Sequence, residues 1–185
     1  MMAEYYLISQ LPSLDGIGEN MPLPITEQDF LKMCATSLKK KSYDELLKLS
    51  LTPPKQSEKT SFSLAEAWNK GERSLRLALA VARAEKMKKE FDVEKQAFSP
   101  EILSAATTAV ESKTPLEAEV FLNNYRLEFL ETLRPMDNFS EEFLFYYFLK
   151  LKLLSRIRQF STELGKSAYK NIYSSILNGD RLEAI

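Results

Sequence analysis

An all-α fold is predicted by three features of this 185-residue chain. Glycine is scarce, with five residues; no stretch alternates apolar and polar residues as a half-buried strand does; and Ser or Thr recurs directly ahead of apolar residues at helical spacing. Tyr5 to Leu14 is apolar and ends in the punctuation Pro12, Gly16 and Gly18, so it reads as either a short helix or an extended piece. After a loop through Pro22 and Pro24, Thr26 can cap a helix containing Phe30, Leu31, Cys34 and Leu38. The Lys39-Lys40-Lys41 run is expected at the C-terminal end of that helix, where the dipole favours cations. Ser42 and Glu45 have the spacing of a capping box, opening a short helix with Leu46, Leu47 and Leu49 that stops before Pro53 and Pro54.

The segment Thr52 to Thr60 contains no apolar side chain apart from its prolines and is expected to be a loop, dividing one helical domain into two lobes if any junction does. Ser63 and Glu66 form a second capping-box pattern. From there Leu64, Trp68, Leu75, Ala78 and Ala82 follow heptad spacing with Gly71 in the same series, which predicts a close-packed seam too short for a persuasive coiled coil. Ser99-Pro100 and Thr114-Pro115 each place a capping hydroxyl before a proline at the first helical position. The second of these helices carries Leu116, Val120, Phe121, Tyr125, Phe129 and Leu133 and ends near Pro135.

Phe139 to Phe160 is the most unusual stretch. Ser140 can cap it, Glu141 and Glu142 sit at the positive end of its dipole, and Phe143, Phe145, Tyr146, Tyr147, Phe148 and Leu149 point in all directions. An ordinary surface helix has one apolar stripe, so this one needs neighbours on several sides, other chains among them. Gly165 is expected to break it, and a last helix with Ala168, Tyr169, Ile172, Tyr173, Ile176 and Leu177 ends at Asn178-Gly179.

Composition bounds the function. A 44% hydrophobic, 28% charged chain is globular, and 25 basic against 26 acidic residues give no overall attraction for nucleic acid or anionic lipid. The longest apolar run falls short of the roughly 20 residues that span a bilayer, and the first residues lack the basic and apolar regions of a secretory signal, so a cytoplasmic address is expected. The one cysteine, Cys34, sits in an apolar pattern and reads as buried filler. The chain contains no histidine, the commonest general base and transition-metal ligand. No phosphate-binding glycine loop and no nucleophile elbow is present, so neither catalytic nor metal residues are assigned, no cofactor is expected, and the chain reads as a non-enzyme.

Two constellations remain. Lys150, Lys152, Arg156 and Arg158 could touch phosphate, but they spread around a helix, and solvated charges or ion pairs with Glu142 and Glu163 are the simpler reading. Most of the eleven phenylalanines and eight tyrosines read as filling for a helical core, and only a surplus over the limited interior of a chain this size carries a functional reading. Tyrosine is favoured at interfaces, so Tyr146, Tyr147, Tyr169 and Tyr173 are candidates for a contact surface.

The segments YYLISQLPSL, PITEQDFLKMC and FSEEFLFYYFLKLKLLSRIRQF, with a glycine a few residues on, resemble a small bacterial family encoded alongside V-type ATPase subunits. That family is distantly similar to the C-type central-stalk subunit of V/A-type ATPases, the socket called subunit d in eukaryotes. The resemblance implies a multi-helix arrangement like a truncated version of the socket's lobes, and places Phe139, Tyr146 or Tyr147, Lys150 and Arg156 at the partner-binding positions. It further implies a non-catalytic role in proton or sodium transport, passing torque between rotor ring and shaft, peripheral to the inner membrane through the complex. Its expected partners are the other ATPase subunits, with self-association as a way to complete a socket of which this chain is too short to supply three lobes. A helical adaptor or scaffold is the first alternative, and a helix-turn-helix DNA binder the second.

Overall fold

A computed structural model describes residues 2–17, 21–54, 60–89, 98–159 and 162–179. Within them the chain is all-α: α1 Met2–Gln10, α2 Glu27–Ser37, α3 Lys40–Lys48, α4 Ser63–Lys86, α5 Pro100–Glu111, α6 Pro115–Thr132, α7 Glu141–Gln159 and α8 Thr162–Gly179, with no strand among the described residues. Gly18, the middle of the 52–60 loop and Phe160 lie outside the described residues.

Four of the expected caps form as the local rules require. Asp29 N–H donates to the Thr26 hydroxyl at 3.1 Å, Ile102 N–H to Ser99 at 3.4 Å, Glu117 N–H to Thr114 at 3.1 Å and Phe143 N–H to Ser140 at 3.3 Å. The two capping boxes do not form. Lys39, not Ser42, is the residue at the start of α3, so the lysine run opens that helix instead of closing α2. Ser42 lies inside α3, buried, and its hydroxyl donates to Glu141 Oε2 at 2.8 Å. Glu45 turns away to accept from the hydroxyls of Thr60 and Ser61, each at 2.8 Å. At α4, Ser63 N–H and hydroxyl both donate to Glu142 Oε1, at 3.0 and 2.7 Å. Glu142 thus places one carboxylate at the positive ends of two helices, its own and α4, and no longer serves as a partner for the basic residues of α7.

The interior has two apolar centres that α4 and α6 both run through. One gathers α1, α2, α3, the first turns of α4, the end of α6 and all of central α7. The other is built where the second half of α4 meets α5 and the first half of α6, around Leu75, Ala78, Leu79, Ala105, Ala106, Ala109 and Leu122. Its alanines let the helices approach closely, which is what the small residues from Ala78 onward predict. Gly71 marks the tightest point: a Cβ there would stand 2.3 Å from Cζ of Phe129 on α6. The heptad series through Gly71 is therefore a true contact seam. The α4 terminus closes with Lys88 in the left-handed region at φ 54°, Lys89 N–H reaching Ala84 C=O at 2.9 Å and Lys88 N–H reaching Glu85 C=O at 3.0 Å.

Helix α7 is enclosed as its composition demands. Every residue from Leu144 to Leu151 is buried, and the described neighbours that enclose it belong to its own chain. Phe145 stacks on Phe62 at 4.0 Å between ring centroids, and Tyr147 and Phe148 lie against Phe30 at 5.2 and 5.3 Å. Each such ring removes enough apolar surface from water to contribute about 1.5–3 kcal/mol. Cys34 is fully buried, and desolvation pushes its thiol up to about 12, so it is filler and not a nucleophile at neutral pH. Gly165 does not break α7; it lies in the first turn of α8.

Candidate partner-binding surfaces

The seven residues singled out from sequence fall in three places. Phe139, Tyr146, Tyr147 and Lys150 line one half-open groove of about 280 Å³ between α1 with its following loop and the start of α7. Arg156 sits further along α7, donating from Nε to Glu119 on α6 at 2.9 Å. Tyr169 and Tyr173 are on α8, their rings 6.0 Å apart and stacked.

Tyr146 and Tyr147 are not a contact surface of this chain. They are 3% and 4% exposed, because α7 is wrapped by the same chain and its aromatics are spent on that core. Their hydroxyls are also used: Tyr147 donates to Pro12 C=O at 2.8 Å and Tyr146 to Glu131 Oε1 at 2.6 Å. Burial pushes the Tyr146 phenol up to about 12, helped by its bond to Glu131, and burial raises Tyr147 likewise. Both residues line the groove with their hydroxyls already bonded within the chain.

Lys150 is the electrostatic hub of the groove. Its ammonium donates to Asp15 Oδ1 and Glu131 Oε1, both at 2.6 Å, and to the Tyr146 hydroxyl at 3.2 Å, which uses all three of its protons. Burial alone would lower its pKa; the bonds to Asp15, Glu131 and Tyr146 outweigh that and hold it above the usual lysine range. The Lys150 hydrogen bond, then its charge, draws Asp15 down. Burial pushes Glu131 up, but the bonds from Lys150 and Tyr146 bring it below its ordinary value. Depressed carboxylates stabilise the fold above their unfolded pKa near 4 and lose that contribution as pH falls through the lower folded values. The raised lysine contributes fully below about 10.4 and loses its part only above that, so the acid side is where the network fails first. Lys150→Met is expected to lower stability at pH 7 by about 1–2 kcal/mol, less than a fully buried pair because Asp15 and Glu131 stay wet. Urea unfolding followed at pH 7 and at pH 3 checks it: the variant's deficit should shrink at pH 3, and an equal deficit at both would show that packing, not charge, accounts for Lys150.

Two other basic residues of α7, Lys152 and Arg156, are paired with groups that sequence spacing did not point to. Lys152 Nζ meets Glu27 Oε2 at 3.0 Å and lies over the Phe148 ring at 4.4 Å, while Arg156 takes Glu119. These are contacts from α7 to α2 and α6, and neither Glu142 nor a phosphate-facing stripe is involved.

Exposed apolar side chains concentrate instead on two surfaces. On α8, Tyr169, Ile172, Tyr173, Ile176 and Leu177 are each half or more exposed, at 68% for Tyr169 and 53% for Tyr173. At 100° per residue they occupy an arc of roughly 140°, with Lys166 inside it between Tyr173 and Leu177, Lys170 along that edge, and Ser167, Asn171, Ser174 and Ser175 on the opposite face. Tyr5 and Tyr6 of α1 and Met136 and Phe139 of the α6–α7 loop are also exposed; Phe139 lines the groove, and Tyr5 stacks on it at 4.3 Å. Sequence reading did not single out Tyr5, Tyr6, Arg134 or Met136. The available signal was the Tyr5-Tyr6 pair itself, since adjacent residues on a helix point about 100° apart and one buried ring does not bury both.

No group of three or more Cys, Asp or Glu side chains that could hold a metal occurs among the described residues, and no helix among them is long and apolar enough to cross a membrane. No protein-family model, curated protein or solved structure matches the chain.

Proposed function

We propose that this protein is a non-catalytic helical connector, and that it serves as a structural or assembly subunit of a V-type proton- or sodium-translocating ATPase. The observation that supports a connector is α8: a helix with five large apolar side chains in one exposed arc has a cost in water that a binding partner removes. The rest of the body suits the role, because the buried aromatic helix α7 and the ion pairs that tie it to α2 and α6 make a stiff block able to transmit force. The ATPase assignment rests on the resemblance of the three quoted segments to the family encoded beside V-type ATPase subunits. It implies a cytoplasmic position, peripheral to the inner membrane through the complex, against the rotor ring and central shaft.

A general adaptor or scaffold would present the same α8 and is the second reading. A DNA binder is disfavoured, since Lys150, Lys152 and Arg156 each already hold a carboxylate. Affinity purification of the tagged chain from membrane extract of its host separates the readings. ATPase subunits in stoichiometric amounts are expected, and they should be lost from the Tyr173→Ser/Ile176→Ser variant while the variant keeps its helical circular dichroism. Stoichiometric partners that include no ATPase subunit would defeat the assignment and leave the adaptor.

A further inference from the structure

The hollow where the ends of α4 and α5 meet the start of α6 has the make-up of a binding site, independent of α8 and of any ATPase role. It is half-open and about 270 Å³ in volume. Its floor is apolar, formed by Leu79, Ala109 and Leu122, all buried members of the second apolar centre. Its charged lining is of one sign. Arg83 and Lys86 stand on α4 and Lys113 in the α5–α6 turn, and no carboxylate lines the hollow. The acidic residues closest to them along the chain, Glu85, Glu111 and Glu117, are exposed and lie outside the lining. Lys86 gives one proton to Val110 C=O, while Arg83 and Lys113 are exposed and hold no carboxylate among the described residues. Of the two hydroxyls in the lining, Ser112 already donates to Thr108 C=O at 3.0 Å. Thr114 accepts from Glu117 N–H at 3.1 Å, which leaves its own proton for a further acceptor. Three cations over an apolar floor, with no acid to neutralise them, are suited to an anion that brings more than one charge and an apolar part.

From this juxtaposition we infer that the hollow binds a small phosphomonoester whose organic part is apolar, the phosphoryl oxygens on Arg83, Lys86 and Lys113 and the hydrocarbon against Leu79 and Leu122. The number of donors selects phosphate over carboxylate. A phosphomonoester carries close to two negative charges at neutral pH and presents three acceptor oxygens, whereas a carboxylate brings one charge and two oxygens. Size selects a small molecule over a lipid surface, because a hollow of this volume, lined by three helices, takes one ring-sized group.

The test uses the full chain, labelled with ¹⁵N, and three probes: phenyl phosphate, inorganic phosphate and benzoate. Amide resonances of Arg83, Val110, Lys113 and Ala118 should move with phenyl phosphate at millimolar concentration or below. Inorganic phosphate, which lacks the ring, and benzoate, which lacks the second charge, should each bind about tenfold more weakly. Arg83→Gln with Lys113→Gln, two changes at exposed positions, should weaken phenyl phosphate by about tenfold or more while the thermal midpoint stays that of the parent. Vesicles of phosphatidylcholine containing phosphatidic acid present the same phosphomonoester on a lipid surface, and the chain should not sediment with them. No shift with millimolar phenyl phosphate, benzoate binding as tightly, or a double variant that binds like the parent would each overturn the inference. Inorganic phosphate binding as tightly as phenyl phosphate would do so too, leaving a place for an adventitious ion only, and co-sedimentation with the vesicles would overturn the small-molecule assignment.

Discussion

Glu72→Ala is expected to remove about 3–5 kcal/mol of stability, the largest effect of any single polar substitution in this chain. Glu72 lies on α4 at 2% exposure, and Arg126 on α6 grips it with two parallel bonds, Nε to Oε2 at 2.9 Å and Nη2 to Oε1 at 3.0 Å. Arg76 adds a third bond to Oε1 at 2.9 Å and reaches on to the Thr52 hydroxyl at 3.3 Å. Deleting the carboxylate leaves the Arg126 charge buried beside the Asn123 side-chain oxygen, 3.5 Å away, and an uncompensated buried charge is far costlier than a lost bond. Replacing both partners, Glu72→Met with Arg126→Met, should recover most of the loss, because it removes the desolvation cost of both charges at once. Trp68, the one tryptophan and fully buried, provides the fluorescence signal for urea unfolding. A single variant within about 1 kcal/mol of the parent would contradict the buried-pair account.

Gly71→Ala should destabilise by about 1–3 kcal/mol although it adds one methyl to a helix, where alanine is ordinarily favoured over glycine by about 1 kcal/mol. The reason is the Phe129 ring, whose Cζ and Cε1 would stand 2.3 and 2.4 Å from the new Cβ. The ring cannot simply swing aside, since it is stacked with Trp68 at 6.0 Å between centroids and packs on the main core. Combining Gly71→Ala with Phe129→Leu should restore part of the loss by shortening the intruding side chain. Gly165→Ala is the control: nothing lies within 4 Å of a Cβ there, so the same change on α8 should be neutral or stabilising. Thermal unfolding of the pair reads the contrast directly, and a drop of similar size for both would refute the close-approach argument.

These two residues are neighbours in sequence and illustrate what sequence reading could and could not reach. Gly71 was visible as a member of a heptad series, because the series depends on helix periodicity alone. Glu72 was not singled out, because a glutamate on a helix looks the same whether it faces water or an arginine 54 residues away. The same division runs through the candidate site. That α7 must be surrounded followed from its apolar circumference, whereas the choice between its own chain and a partner as the surrounding did not. In the structure the chain itself surrounds α7, so Tyr146 and Tyr147 are buried while Tyr169 and Tyr173 stay exposed.

The chain's own order of residues was enough to determine the helical class, the starts at Thr26, Ser99, Thr114 and Ser140, and the need of α7 for neighbours, since each depends on groups within one or two turns. Tertiary structure alone decided that Glu141 binds Ser42 across 99 residues, that Glu142 caps Ser63 across 79, and that Lys150 joins Asp15 across 135. In both apparent capping boxes the serine was claimed by a distant carboxylate, because a side chain bonds whichever acceptor the packed helices bring within 3 Å, and distance along the chain has no part in that competition.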